Sequence, residues 1–340
     1  MNIEEMRDCA GMIIPAWYPE SMAQADMEAL IHSCTRDAAA FAAPENIRLV
    51  IDGAPSALAA ARALHRRAGG FEIDSMPVNE GKGGAVAAGL RRLLANPGIR
   101  FFVTRDHDND HLAQDTPNLV SLADRMVREL GHERVMAIGR RISIHRHLGF
   151  ERGEFEWFMN EVVQEAAKYA MARDGRVANE QFSAAYEPVL DMQTGFKCYT
   201  RETARIMIAA LDEAPALAPG LDVRRHGAEI PVIVETLLRG GAVGEVNRLS
   251  HENQPMSTYD TAGRVRVKGT VLAWVFLRTG IPLCAARQLL LNAMGRRVLS
   301  KDAAGLRALA DISNWALQKA GEIRSEPADP IAGLAQAEYF

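Results

Sequence analysis

The chain has 340 residues, 48% of them hydrophobic and 24% charged, a balance that suits a soluble globular protein with one large core or two adjoining ones and excludes a mainly disordered chain. Its 39 basic and 43 acidic residues give a formal charge of −4, so no broad cationic surface is available for phosphate backbones and nucleic acid is not the expected partner. Cys9, Cys34, Cys198 and Cys284 lack any C-x-x-C spacing, which argues against a zinc site and a disulfide framework and for a reduced, cytoplasmic protein.

The N-terminus carries Glu4, Glu5, Arg7 and Asp8 instead of a basic region followed by an apolar stretch, so no signal peptide is expected. Apolar runs then alternate with helical patterns over the first 140 residues, which predicts βαβ units and a mainly parallel, Rossmann-like α/β sheet. Strands are expected at 12–16, 47–51, 71–76, 101–104 and 135–138, with helices at 22–40, 56–67, 84–94 and 119–130. Helical patterns follow at 155–170 and 200–211, ahead of a Pro/Ala-rich turn at 214–220.

A catalytic domain is placed at residues 8–260 and a C-terminal helical appendage at 261–340, with helices at 269–276, 283–294 and 303–320. The apolar stretch 269–277 ends at Arg278, short of the roughly 20 residues that cross a bilayer, so no transmembrane segment is expected. Its face of Val271, Leu272, Trp274, Val275 and Leu277 suits core cover, a homodimer interface or a peripheral membrane contact. The basic residues around it are few and dispersed, which favours core or dimer packing.

In an open α/β sheet, ligands bind beyond the carboxyl ends of the strands, and polar motifs collect there. Pro15-Ala16-Trp17-Tyr18-Pro19-Glu20 follows the first strand; its aromatic ring suits stacking on a nucleobase and Glu20 suits its edge, although a Pro-bracketed turn reads the same way. Asp52-Gly53 ends the second strand, a carboxylate for a base N–H or a ribose hydroxyl, or a plain turn. Asn79-Glu80-Gly81-Lys82-Gly83-Gly84 leads into a helix, where glycines allow close backbone approach and Lys82 supplies a point charge for an anion.

After the fourth strand comes Asp106-His107-Asp108-Asn109-Asp110-His111. In an extended segment Asp106 and Asp108 point to one side and can share a hard divalent cation, whereas a solvated acidic turn would need no such function. His107 and His111 are expected to face away and position the loop, and His251 is a candidate third ligand.

In order and spacing these segments resemble glycosyltransferase family 2, the GT-A group that includes polyprenyl-phosphate sugar synthases. Residues 13–20 are similar to the family's V-I-P-A-Y-N-E, Ile51-Asp52-Gly53 to V-D-D-G, Asn79 to Gly83 to N-x-G-K-G and Asp106 to His111 to D-A-D-L-Q-H. Gly139-Arg140 resembles G-S-R, Asp191 to Lys197 resembles D-x-Q-x-G-F-K, Glu229-Ile230-Pro231 resembles E-x-P, and His251, Ser257 and Tyr259 resemble the H…S-x-Y region. The chain departs from the pattern at Gly53, where the family has a second Asp. The later blocks are also similar to glucosyl-3-phosphoglycerate and mannosylglycerate synthases, which leaves inversion and retention both open.

The resemblance implies a GT-A nucleotide-diphospho-sugar transferase fold, with a nucleotide-sugar half at 8–120 and an acceptor half at 121–260. It implies an NDP-sugar donor, with Pro15, Trp17, Glu20, Asp52, Lys82, Asp106 and Arg140 on that donor. Mg²⁺ or Mn²⁺ would be held by Asp106, Asp108 and His251, the acceptor would be a small molecule or a lipid phosphate, and Asp191 or Glu229 would act as base. A non-catalytic nucleotide-sugar-binding protein and a sugar nucleotidyltransferase of related fold are the competing readings.

Overall fold

The computed structural model describes residues 1–145, 149–184, 189–248 and 263–332. The first half runs Ile3–Cys9 (α1), Ala10–Ala16 (β1), Gln24–Ala38 (α2), Ile47–Asp52 (β2), Pro55–Ala68 (α3), Glu72–Met76 (β3), Gly81–Leu94 (α4), Phe101–Thr104 (β4), Thr116–Leu130 (α5) and Val135–Arg141 (β5). The second half runs Phe150–Arg173 (α6), Lys197–Thr200 (β6), Arg201–Leu217 (α7), Val223–His226 (α8), Ile230–Leu238 (α9) and Ala242–Arg248 (β7). Three long helices close the described chain: Arg264–Thr279 (α10), Leu283–Gly295 (α11) and Ala303–Arg324 (α12).

The seven strands of the described residues form one sheet in the order β3-β2-β1-β4-β6-β5-β7. All neighbours are parallel except β6, which runs antiparallel between β4 and β5. The expected α/β architecture and helical C-terminal region are therefore present. Every residue of β1 is buried, as a strand covered on both faces requires. Alternation then splits its side chains between two layers: Ile13 joins Val50, Leu90 and Phe102 on one face, and Met12 and Ile14 join Leu49, Ile51 and Val103 on the other.

The core on the Ile13 face is continuous with the C-terminal helices. Val271, Leu272, Trp274 and Val275 of α10 are buried in it, together with Leu290 of α11 and Leu309 of α12. The apolar face read from the sequence is thus covered within the chain itself. Among the described residues no helix is long and apolar enough to cross a membrane.

Several elements differ from the sequence expectation. β6 is only four residues long and mixes Lys197, Cys198, Tyr199 and Thr200, so no period-two pattern marks it, yet it lies in the middle of the sheet. Helix α9 and strand β7 complete the far edge from a mainly apolar nine-residue segment and a mixed one that give no clear period. Helix α4 begins at Gly81, three residues earlier than its apolar periodicity suggests, because Asp52 caps it: the Asp52 carboxylate accepts the backbone N–H of Glu80 and of Gly81, each at 2.8 Å.

Candidate active site

The carboxyl ends of β1, β2 and β4, the start of α4 and one face of α10 enclose a cleft of about 580 Å³. Pro15 and Ala16 end β1 at its wall, with half-buried Trp17 beside them. Tyr18 turns inward and is fully buried; its ring meets His107 edge-on at 4.8 Å and its hydroxyl donates to the His107 carbonyl at 3.4 Å. Glu20 is exposed and does not line the cleft.

The acidic loop after β4 is anchored by its own first residue. Arg105 is buried, and its guanidinium donates to the His111 carbonyl at 2.9 Å, the Cys34 carbonyl at 2.6 Å and the Asn109 side chain at 2.5 Å. Asn109 takes a left-handed φ of 63°, which asparagine tolerates better than most residues. His111 is buried and stacks on Phe196 at 5.0 Å. Its Nδ1 accepts the Asp106 N–H at 3.0 Å, and burial pushes its pKa well down, so the neutral ring acts as a strut under the loop. The loop is not a solvated turn: Asp110 is 6% exposed and lies 3.6 Å from the buried Arg248 guanidinium.

Lys82 reaches across to this loop from the first turn of α4. Its Nζ lies 2.8 Å from Asp106 Oδ1 and 2.8 Å from Glu229 Oε1. Burial pulls the lysine pKa down, but the two carboxylates more than reverse that and hold it above the ordinary lysine range. Burial likewise works against the Asp106 charge, and the Lys82 ammonium overcomes it, keeping that carboxyl well below the usual range. Asp108 behaves in the opposite way. Burial first, and the neighbouring Asp106 charge second, push it up to about 6, although its Oδ1 accepts the Asp110 N–H at 3.1 Å.

Two crowded carboxylates of this kind fit a hard divalent cation, which prefers oxygen ligands and would relieve the repulsion that raises Asp108. Among the described residues no group of three His, Cys, Asp or Glu side chains is placed to hold a metal. His251, Ser257 and Tyr259 lie outside the described residues.

The glycine-rich segment is built differently from a phosphate loop. Gly81 packs against α8, where an added Cβ would lie 2.5 Å from the Arg225 Cα, so its lack of a side chain serves helix packing. Arg225 in turn donates to the Asn79 carbonyl at 2.6 Å and brings its own side chain to the cleft. Gly53 explains the departure from the D-D-G pattern. Its φ is 61° and a Cβ there would meet the Asn79 nitrogen at 2.2 Å, so no aspartate side chain has room.

Arg140 and Arg141 are neighbours on β5, and alternation sends them to opposite faces. Arg140 turns away from the cleft to Glu245 at 3.0 Å and to the Val189 carbonyl at 2.8 Å. Arg141 lines the cleft. Its guanidinium grips Asp191 at 2.6 and 2.9 Å, its backbone N–H donates to the same carboxylate at 3.0 Å, and it reaches Glu156 at 2.7 Å. Asp191 is 1% exposed; burial opposes its charge, but Arg141 holds its pKa below the usual range.

Of the residues singled out in the sequence, the fold therefore brings Pro15, Trp17, Asp52, Lys82, Asp106, Asp108 and Glu229 together in one cleft. Glu20, Arg140 and Asp191 are not among its lining. Sequence reasoning missed Arg141, Arg152, Glu156, Arg225, Arg264 and Lys268, all of which reach the cleft. Strand alternation is the signal that separates Arg141 from Arg140, and the i, i+4 spacing of Arg264 and Lys268 is the signal that puts both on one face of a helix. Nothing local marked Arg152, Glu156 or Arg225.

No protein-family model matches the sequence, and no curated protein matches it. Among solved structures the chain is similar to the crystal structure of S. aureus TarS 1-349, at 9% identity and a TM-score of 0.38, covering 93% of this chain and 91% of that one. It is also similar to that protein in complex with UDP-GlcNAc, at 10% identity and a TM-score of 0.38 over 94% and 92% of the two chains. For its complex with UDP the values are 10% identity and a TM-score of 0.36 over 93% and 91%. Likeness of this degree leaves the function to be argued from the chain's own residues.

Proposed function

We propose that the protein is a metal-dependent glycosyltransferase that moves a sugar from a nucleoside-diphosphate donor to an acceptor hydroxyl or phosphate. One observation carries the reading: Asp106 and Asp108, just past the carboxyl end of β4, both line a cleft that opens where an α/β sheet binds ligands, with Lys82 bonded to Asp106. A P-loop spacing is absent, and the anion-attracting start of α4 is occupied by Asp52, so the diphosphate falls to Lys82 and the acidic pair.

Asp106 and Asp108 would hold Mg²⁺ or Mn²⁺, and the cation when bound would stabilise charge developing on the departing nucleoside diphosphate. Lys82 adds a fixed positive charge at the same place. Asp52 lines the cleft and keeps lone pairs free for a base N–H or a ribose hydroxyl while it caps α4, and Trp17 offers a ring for the base. Glu229 is the better candidate for the base that takes the acceptor proton, because it lines the cleft, whereas Asp191 is locked onto Arg141 and drained of basicity.

A thermal-shift screen of UDP-, GDP- and dTDP-sugars with and without Mn²⁺ tests this, since a ligand bound only by the native state raises apparent stability. At least one pair of sugar nucleotide and cation should raise Tm, and Asp108→Ala should abolish the metal-dependent part. Silence with every donor would end the proposal.

A further inference from the structure

We propose that Arg152, Arg264 and Lys268 form a second, anion-binding subsite in the cleft, one that holds a phosphate or carboxylate group of the acceptor. The word acceptor rests on the transferase reading; the anion site itself does not.

These side chains come from α6 and α10, separate from the elements that carry Asp52, Lys82 and the acidic pair, yet they open onto the same cleft. Arg264 and Lys268 are 8% and 5% exposed, an unusual depth for two cations one helical turn apart. Carboxylates help to keep them there. Arg264 bonds Glu151 and lies over the Phe155 ring at 4.4 Å, and Arg152 bonds Glu156 at 3.3 Å.

Glu156 is shared, since it also serves Arg141 at 2.7 Å. The crowding registers at Lys268: burial lowers its pKa most, Glu156 opposes, and Arg152, Arg264 and Arg141 add to the fall, leaving it at about 8. An oxyanion entering the cleft would be met by all three cations and by the first turn of α10, whose preceding residue Gly263 brings no side chain into the space. Met159, Val267 and Val271 line the cleft beside them, so the ligand that fits joins a compact anion to a small carbon body.

Calorimetric titration of the full chain with inorganic phosphate, and separately with acetate, tests this at an ionic strength held constant with chloride. Saturable binding is expected, weakened about tenfold or more by Lys268→Met and by Arg152→Gln, and by each of them more than by Lys82→Met. Binding of phosphate alone assigns a phosphate-bearing acceptor, and binding of acetate assigns a carboxylate. If Lys268→Met does not fold, Arg152→Gln decides alone, because its side chain is 25% exposed and anchors no core. Absence of saturable binding by the wild type overturns the proposal. So does binding that Lys82→Met weakens while the other two variants spare it, because the anion then sits among the donor groups. Phosphate bound through Lys268 by a protein that ignores every nucleotide sugar would keep the subsite and remove the transferase reading instead.

Discussion

The ammonium of Lys82 and the carboxylate of Asp106 meet at 2.8 Å directly above the Cα of Gly195. A methyl group added at Gly195 would lie 2.6 Å from Lys82 Nζ and 2.7 Å from Asp106 Oδ2, closer than any real contact allows. Gly195→Ala should therefore part the ion pair while leaving the sheet intact, at a cost to stability of about 1–3 kcal/mol. Metal-assisted nucleotide-sugar binding should weaken about tenfold or more. Denaturant titration and calorimetry on the same variant check both numbers, and unchanged ligand affinity would show that the pair has no part in binding.

Glu229 and Asp191 should separate cleanly under conservative substitution. Asp191→Asn breaks a buried pair with Arg141 and should destabilise the fold by about 3–5 kcal/mol. Glu229→Gln removes a partly exposed carboxylate at the cleft and should leave the fold near wild type while slowing transfer to a hydroxyl acceptor about 100-fold or more. Urea denaturation and single-turnover kinetics on the two proteins give the comparison. A folded, inactive Asp191→Asn beside an active Glu229→Gln would exchange their roles.

The N-terminal half of this arrangement is legible in the sequence because local rules and the global fold agree there. β1, β2 and β4 are mainly apolar runs, each followed by its polar motif, so Pro15, Asp52, Asp106 and Asp108 fall at strand ends by topology alone. The later half was less legible because its determinants are non-local. β6 is defined by pairing with β4 and β5 and not by its own pattern, and Arg152, Glu156 and Arg225 reach the cleft only through the packing of α6 and α8. Motif position favours Arg140, whereas the face of the strand puts Arg141 in the cleft. The role of α10 was hidden because an apolar stripe announces burial but not which cleft its polar residues will line.

Arg105 ties the acidic loop to two backbone carbonyls and to Asn109, a fork that a lysine cannot reproduce. Arg105→Lys should cost about 1–3 kcal/mol of stability and loosen the loop that sets Asp106 beside Asp108. Mn²⁺ affinity, followed by electron paramagnetic resonance of the free ion, should fall with it. A variant that loses stability but holds Mn²⁺ as tightly as wild type would confine Arg105 to folding.

Lys197 supplies the pH dependence. It is 1% exposed, donates to the Met192 carbonyl at 3.0 Å and to the Thr194 carbonyl, and so fastens the turn that presents Gly195 to Lys82. Burial lowers its pKa most, Glu229 opposes, Lys82 adds to the fall, and the result is about 7 against an ordinary 10.5. Between those two values the unfolded chain binds a proton that the folded chain does not, so this group makes the protein more stable as pH rises through that window. The stability difference between wild type and Lys197→Met should climb from pH 7 towards pH 10 with a slope of at most about 1.4 kcal/mol per pH unit and stay flat below pH 6. Urea unfolding of both proteins across that range measures it, and a flat difference throughout would mean that Lys197 keeps its proton in the folded chain.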